Sequence, residues 1–195
     1  MSTRNTRWFS QALLPWYREH GRALPWRGKP DPYRVWLSEV ILQQTRVDQG
    51  LAYWQRFVDR FPGVQDLAAA TEGEVLKLWQ GLGYYSRARN LLVAARQVVR
   101  DFRGTFPGTH AELITLKGVG DYTASAIASI CFGQPDAVVD GNVYRVLARV
   151  FGIEIPVDST EGRKRFKALA QELLDHDHPG DHNQAVMELG ATVCT

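Results

Sequence analysis

The chain has little of what would set it apart from ordinary globular proteins, and each scarcity excludes something. Two cysteines in 195 residues, Cys131 and Cys194, cannot build a disulfide framework. No apolar run approaches the ~20 residues that span a bilayer. The opening Met1-Ser2-Thr3-Arg4-Asn5-Thr6-Arg7 lacks the apolar core of a secretion signal, so the expectation is a cytoplasmic protein with no membrane partner. Low-complexity tracts and defensible repeats are missing too. Charge of one sign is scarce: the net is +2, far from the strongly basic balance of a pure nucleic-acid binder. Strand-like sequence is confined to Val138-Val139, too short to build a sheet.

What is present is an apolar content of 45% and six Trp, in a chain long enough for one domain or two small lobes. Charge is unevenly spread. Residues 1–110 hold 16 Lys and Arg against 9 Asp and Glu, whereas residues 111–195 hold 7 against 12. The basic residues are mostly Arg, whose planar fork suits phosphate better than a lysine ammonium does.

Nearly every segment reads as helix. Asp31-Pro32 is an N-cap followed by proline at the first helical position, opening a helix toward Thr45. Leu51, Trp54, Phe57 and Val58 form a second apolar pattern that Phe61-Pro62-Gly63 ends. Thr71-Glu72-Gly73-Glu74 fits a capping box, and Gly81 and Gly83 stop the helix that follows. Leu91, Leu92, Ala95, Val98 and Val99 mark a long helix from Ser86 to Phe102. Further helices are expected over 109–115, 121–132, 141–151, 160–175 and 183–193. Pro15 either starts a helix or bends one.

The densest information lies between Leu116 and Arg149. Leu116-Lys117-Gly118-Val119-Gly120 reads as a hairpin between two helices, followed by Thr123-Ala124. Glycines let a backbone turn sharply and approach a partner closely, and amides at a helix N-terminus bind anions. The string therefore points to a DNA phosphate, although glycine caps on a plain helical turn fit it as well. Val119 would plug the hairpin into its own core. Twenty residues after Gly120 stands Asp140, in Val139-Asp140-Gly141-Asn142-Val143. By position alone Asp140 is a helix N-cap or a carboxylate beside the gripped strand.

Together these strings resemble the helix-hairpin-helix DNA glycosylases of the endonuclease III superfamily, and within it the catalytic domain of the MutY-type adenine DNA glycosylases. The resemblance covers almost the whole chain. It includes Leu24-Pro25-Trp26-Arg27, Val35-Trp36-Leu37-Ser38-Glu39-Val40-Ile41-Leu42-Gln43-Gln44-Thr45, Gly81-Leu82-Gly83-Tyr84-Tyr85-Ser86-Arg87-Ala88-Arg89-Asn90, the hairpin, the Asp140 run and Asn183-Gln184-Ala185. It implies an all-α fold of two lobes with a DNA cleft between them. One is a six-helix lobe over 27–136 carrying the hairpin, the other a helical lobe from 1–26 plus 137–195. Double-stranded DNA containing an adenine mispair is the implied partner, the chain acting as a monomer on adenine opposite 8-oxoguanine or guanine.

The resemblance also implies roles. Glu39 stands in apolar company, where a carboxyl tends toward its neutral form; spacing alone equally allows the polar face of its helix. In the family it is the general acid that protonates adenine and then activates water. Asp140 would stabilise the positive charge that grows on the sugar, and Asn142 would orient water or Glu39. Tyr122 occupies the position where strand-cutting relatives carry the lysine that forms a Schiff base, so base removal without strand scission is implied. Leu24, Trp26 and Arg27 resemble the adenine-pocket segment. Gln44 and Tyr84 match the residues that wedge into the duplex, and Lys117, Gly118, Val119 and Gly120 match the phosphate-binding hairpin. Lys117 departs from the proline of many relatives, and Tyr144 from a lysine.

Gly190-Ala191-Thr192-Val193-Cys194 resembles the start of the family's iron–sulfur loop. A [4Fe–4S] cluster needs four thiolates, so a full-length member is expected to bind one through Cys194 and three further cysteines, and this sequence as given is not. The family's 8-oxoguanine recognition domain is likewise outside it. Cys131 reads as a buried thiol. His176, His178 and His182 lack a standard metal spacing and read as a polar loop. Two rivals remain: an endonuclease III-type glycosylase with lyase activity, which Tyr122 opposes, and a non-catalytic DNA-binding module.

Overall fold

The computed structural model describes residues 7–195, so the opening Met1–Thr6 segment lies outside the described residues. Eleven α-helices and no strand occur among them: α1 (Arg7–His20), α2 (Pro32–Ile41), α3 (Val47–Arg60), α4 (Val64–Ala69), α5 (Glu72–Trp79), α6 (Ser86–Asp101), α7 (His110–Leu113), α8 (Asp121–Phe132), α9 (Gly141–Phe151), α10 (Thr160–Leu173) and α11 (Pro179–Thr192). No helix is long and apolar enough to cross a membrane.

Local chemistry explains most boundaries. The Asp31 carboxylate accepts from the Arg34 amide, with Pro32 at the first position of α2. Thr71 and Glu74 make the reciprocal capping box of α5. α9 ends on Gly152 in the left-handed conformation, where glycine alone is free of strain. α1 runs unbroken through Pro15. The carbonyl that loses its partner there belongs to Gln11, which is exposed to water.

Four expectations need correction. α2 stops at Ile41, before Thr45, because the chain turns at Leu42. The 109–115 helix shrinks to the four residues of α7. α4 was not foreseen, since six residues carry too little periodicity to read. α11 begins at Pro179 rather than 183, proline serving as a first helical residue instead of a breaker.

The chain divides into two compact units. In the Pro25–Ile127 unit, α2 is the central helix, with seven buried residues among its ten. It packs against α3 and α6; α5 packs on both of those, and α4 lies along α6. Aromatic rings fill this core: Trp36 meets Phe106 at 5.3 Å between ring centroids and Phe57 meets Trp79 at 5.8 Å. The Tyr33 hydroxyl donates to the Phe61 carbonyl, which satisfies both buried groups.

The other unit comprises the described residues up to Leu24 and Ala128–Thr195. Here α11 packs on α9 and α1, and α10 on α1 and α9. Gly190 permits the closest approach. A Cβ there would stand 2.6 Å from both Cβ and carbonyl oxygen of Asn142, so any side chain would push α11 off α9. Glu188, only 1% exposed, is held by Arg22 through Nε at 2.6 Å, Nη2 at 3.0 Å and the backbone amide at 3.0 Å. Such bidentate pairing offsets the cost of burying a carboxylate.

His182 is not part of a polar loop. It lies in α11, 3% exposed, against the Phe9 ring, and its Nδ1 has no hydrogen-bond partner among the described residues. Burial pushes its pKa down to about 4, opposed only partly by Asp175. The folded state thus favours neutral imidazole. Its contribution is fully present above the ordinary histidine pKa of about 6.5 and is lost as pH falls toward 4. Urea titrations between pH 7 and pH 4 should show roughly 3 kcal/mol of stability lost through this group, and His182→Leu should flatten the curve by that amount. Parallel curves for the two proteins would refute the assignment.

Candidate functional site

Glu39 sits on α2 between buried Ser38 and Val40 and is itself half-buried. Apart from Glu39, only Pro32 and Arg34 of this helix escape full burial. The acid is therefore the one partly exposed position in the second half of a largely buried helix, between the two alternatives its spacing allowed.

Asp140 is the N-cap of α9. Its Oδ1 accepts from the Val143 amide at 2.8 Å, and its Oδ2 accepts from the Asn142 Nδ2 at 2.7 Å. Arg145 fixes Asn142 in turn, donating to its Oδ1 at 2.6 Å and to the carbonyls of Gly190 and Cys194 at 3.0 Å. Capping and orientation thus coexist at one carboxylate. Asn142 orients Asp140 within this unit.

The segment leading to Asp140 belongs to no helix or strand; it leaves α8 through Gly133 in the left-handed conformation, and several of its backbone groups bond to side chains. Asn183 donates from Nδ2 to the Ser129 hydroxyl and to the Asp136 carbonyl, both at 2.8 Å, and accepts from the Val138 amide at 3.1 Å. Gln171 accepts from the Ala137 amide at 3.1 Å and donates to the Pro135 carbonyl at 2.7 Å. Sequence reasoning missed Gln171 and Arg145 altogether and quoted Asn183 only within a motif. A polar side chain inside an apolar helical pattern was the available signal.

The hairpin joins α7 to α8 and is braced by His110 Nε2 and Asp121 Oδ1 at 3.1 Å. Only Gly118 needs to be glycine for the turn: its φ is +80°, and a Cβ would meet the Asn90 Cβ at 2.8 Å. Gly120 has open space around it. Val119 is buried, as its plug role requires. The expected row of outward amides is reduced. The Lys117 amide donates to Gln97 Oε1 and the Val119 amide to the Leu116 carbonyl, which leaves the Gly118 and Gly120 amides without partners among the described residues. Lys117 itself is exposed, and Tyr122 is half-buried in the first turn of α8.

Gln44 and Tyr84 share a trait that sequence could not show. Both have left-handed backbones, φ +57° and +47°, and both are exposed, Tyr84 by 66%. Such conformations cost about 1–3 kcal/mol each in a non-glycine residue and persist where surroundings enforce them. Trp26 is 7% exposed and packs on Trp54 at 5.3 Å, so it is a core residue of the Pro25–Ile127 unit. Arg27 and, in the other unit, Leu24 are half-buried. Tyr144 stacks edge-on against Phe166 at 5.0 Å. Cys131 is half-buried, contrary to the buried reading. A four-thiolate cluster does not fit: the sequence holds two cysteines, and no group of three or more His, Cys, Asp or Glu suited to a metal ion occurs among the described residues.

Helices throughout, a glycine hairpin opening onto a helix N-terminus and a capping aspartate on the next long helix define a helix-hairpin-helix protein. The chain belongs to the HhH-GPD superfamily of base excision DNA repair proteins, whose family model matches residues 37–175. It is 50% identical to human adenine DNA glycosylase over 196 residues, covering 96% of this chain and 36% of that protein. It is 42% identical to the Arabidopsis thaliana adenine DNA glycosylase, covering 100% of this chain and 35% of that protein. The chain therefore spans little more than a third of either relative. Among solved structures, a thermostable thymine-DNA glycosylase matches with a TM-score of 0.88 at 28% identity, over 100% of this chain and 90% of that one.

The cap geometry yields a prediction. Asp140→Ala removes the acceptors for both the Val143 amide and the Asn142 side chain and should lower unfolding free energy by about 1–2 kcal/mol, whereas Asp140→Asn keeps the acceptor for Val143 and should lose measurably less. Thermal or urea unfolding measures both. Equal losses would mean that the cap contributes nothing.

Proposed function

We propose that this chain is the catalytic part of a monofunctional adenine DNA glycosylase that hydrolyses the N-glycosidic bond of adenine paired with 8-oxoguanine or guanine in double-stranded DNA. The observation that carries the reading is the 50% identity to the human adenine DNA glycosylase along 96% of this chain. Gly118 and Gly120 offer amides to a backbone phosphate, with Lys117 beside them, and Val119 anchors the turn. Gln44 and Tyr84 enter the duplex where the base leaves it. Within the Pro25–Ile127 unit, Arg27 contributes to the adenine pocket, with Trp26 supporting it from the core against Trp54.

Adenine is a poor leaving group until a ring nitrogen gains a proton. Glu39 supplies that proton and then takes one from the attacking water. The Asp140 carboxylate, aimed by Asn142, stabilises the oxocarbenium-like sugar. Tyr122 offers no amine for a Schiff base, so the strand stays intact. No step is assigned to an iron–sulfur cluster, which would need three cysteines beyond Cys194.

Glu39→Gln should lower single-turnover adenine release by at least about 100-fold and leave affinity for the mispaired duplex within about threefold. Unchanged turnover would defeat the catalytic assignment and favour a DNA-binding module. Product strands should break only after alkali. Cleavage without alkali, abolished by removing a lysine, would instead identify a lyase.

A further inference from the structure

Gln44 and Tyr84 stand in two loops far apart in sequence, and one side chain touches both. Arg87, in the first turn of α6, donates from Nη1 to the carbonyls of Val40 (3.1 Å), Ile41 (3.2 Å) and Gln43, and from Nη2 to the Leu82 carbonyl (3.4 Å). Its guanidinium lies 5.2 Å from the Trp79 ring centre and 5.6 Å from that of Tyr84. Every hydrogen-bond acceptor it has is main-chain carbonyl, and its buried Nε has no partner among the described residues. Burial lowers its pKa from the ordinary arginine value. A cation drawn out of water without a carboxylate is costly. What compensates it is the C-terminal end of α2, where unpaired carbonyls carry the negative end of the helix dipole. A lysine could bring the charge but not the fork that spans two loops.

We propose that Arg87 is a positioning residue that locks the Leu42–Thr45 turn and the Leu82–Tyr85 loop into a single wedge, so that Gln44 and Tyr84 enter DNA as one preformed body. The Gln43 carbonyl directly precedes the left-handed Gln44, the Leu82 carbonyl stands two residues before the left-handed Tyr84, and the guanidinium also meets the Tyr84 ring, so the group that joins the loops bears on both strained residues. A wedge ordered in advance loses less entropy on insertion and leaves more binding energy to offset the few kcal/mol of unstacking a base. The DNA step rests on the glycosylase reading; the coupling of the two loops does not.

The test uses the 195-residue chain and its Arg87→Lys variant in two measurements. In hydrogen–deuterium exchange, amides of both 42–45 and 81–85 should exchange at least about tenfold faster in the variant, with α3 unchanged. Faster exchange in one loop alone, or in neither, would overturn the proposal. A second variant covers the case in which Arg87→Lys does not fold. Arg87→Gln leaves no buried cation and still lacks the fork, and exchange at both 42–45 and 81–85 should rise; no change in either loop would refute the coupling. In single-turnover adenine release, Arg87→Lys should lose about 30-fold on a fully paired duplex containing the mispair, but less than about threefold on adenine already unpaired in a bulge. Equal losses on both substrates would refute the wedge role. If wild type releases adenine from neither DNA, the glycosylase reading fails, and the exchange data alone decide whether Arg87 couples the loops.

Discussion

Every α-helix leaves four amides at its start and four carbonyls at its end without internal partners. In a fold with no sheet among its described residues, those ends are where polar chemistry must go, and the functional candidates collect there. Asp140 fills the N-terminal end of α9 with a carboxylate, and Arg87 fills the C-terminal end of α2 with a cation. The hairpin leads into the N-terminus of α8 with the Gly118 and Gly120 amides still unspent. Each sign matches the local end of the helix dipole. The scaffold's need to satisfy its own backbone and the demand for charged groups at fixed positions are met by the same side chains.

Burial sets the second constraint. α2 is so nearly enclosed that a carboxyl is tolerated on it only where burial is incomplete, as it is at Glu39. Around Asp140 the logic differs: the irregular approach from Phe132 has few backbone partners, so buried Asn183 and exposed Gln171 supply them. Polar side chains on α11 and α10 thus aim a residue on another helix.

The helices and their caps were legible in sequence because caps are local. Asp31, Thr71 and the Gly118 turn act within a few residues, and the structure realises each. What stayed hidden was long-range or conformational. Nothing in the string Tyr84-Tyr85-Ser86-Arg87 says that Arg87 reaches back to the end of α2, since that depends on how α6 lies against α2. The left-handed backbones of Gln44 and Tyr84 were unreadable, because local preference disfavours them and tertiary contacts impose them. His182 was misread because its neighbours in sequence are polar, while its neighbours in space include Phe9.

Asn183 deserves a genetic reading. Its two donor hydrogens face a hydroxyl and a carbonyl, and its one acceptor faces an amide. Aspartate has the same size but no donors at neutral pH, so the contact with the Asp136 carbonyl would turn repulsive at the root of the segment bearing Asp140. The asparagine and aspartate codons differ by a single base transition, in the first position. A side chain chosen for its donors, and not its volume, is thus one base change away from failure.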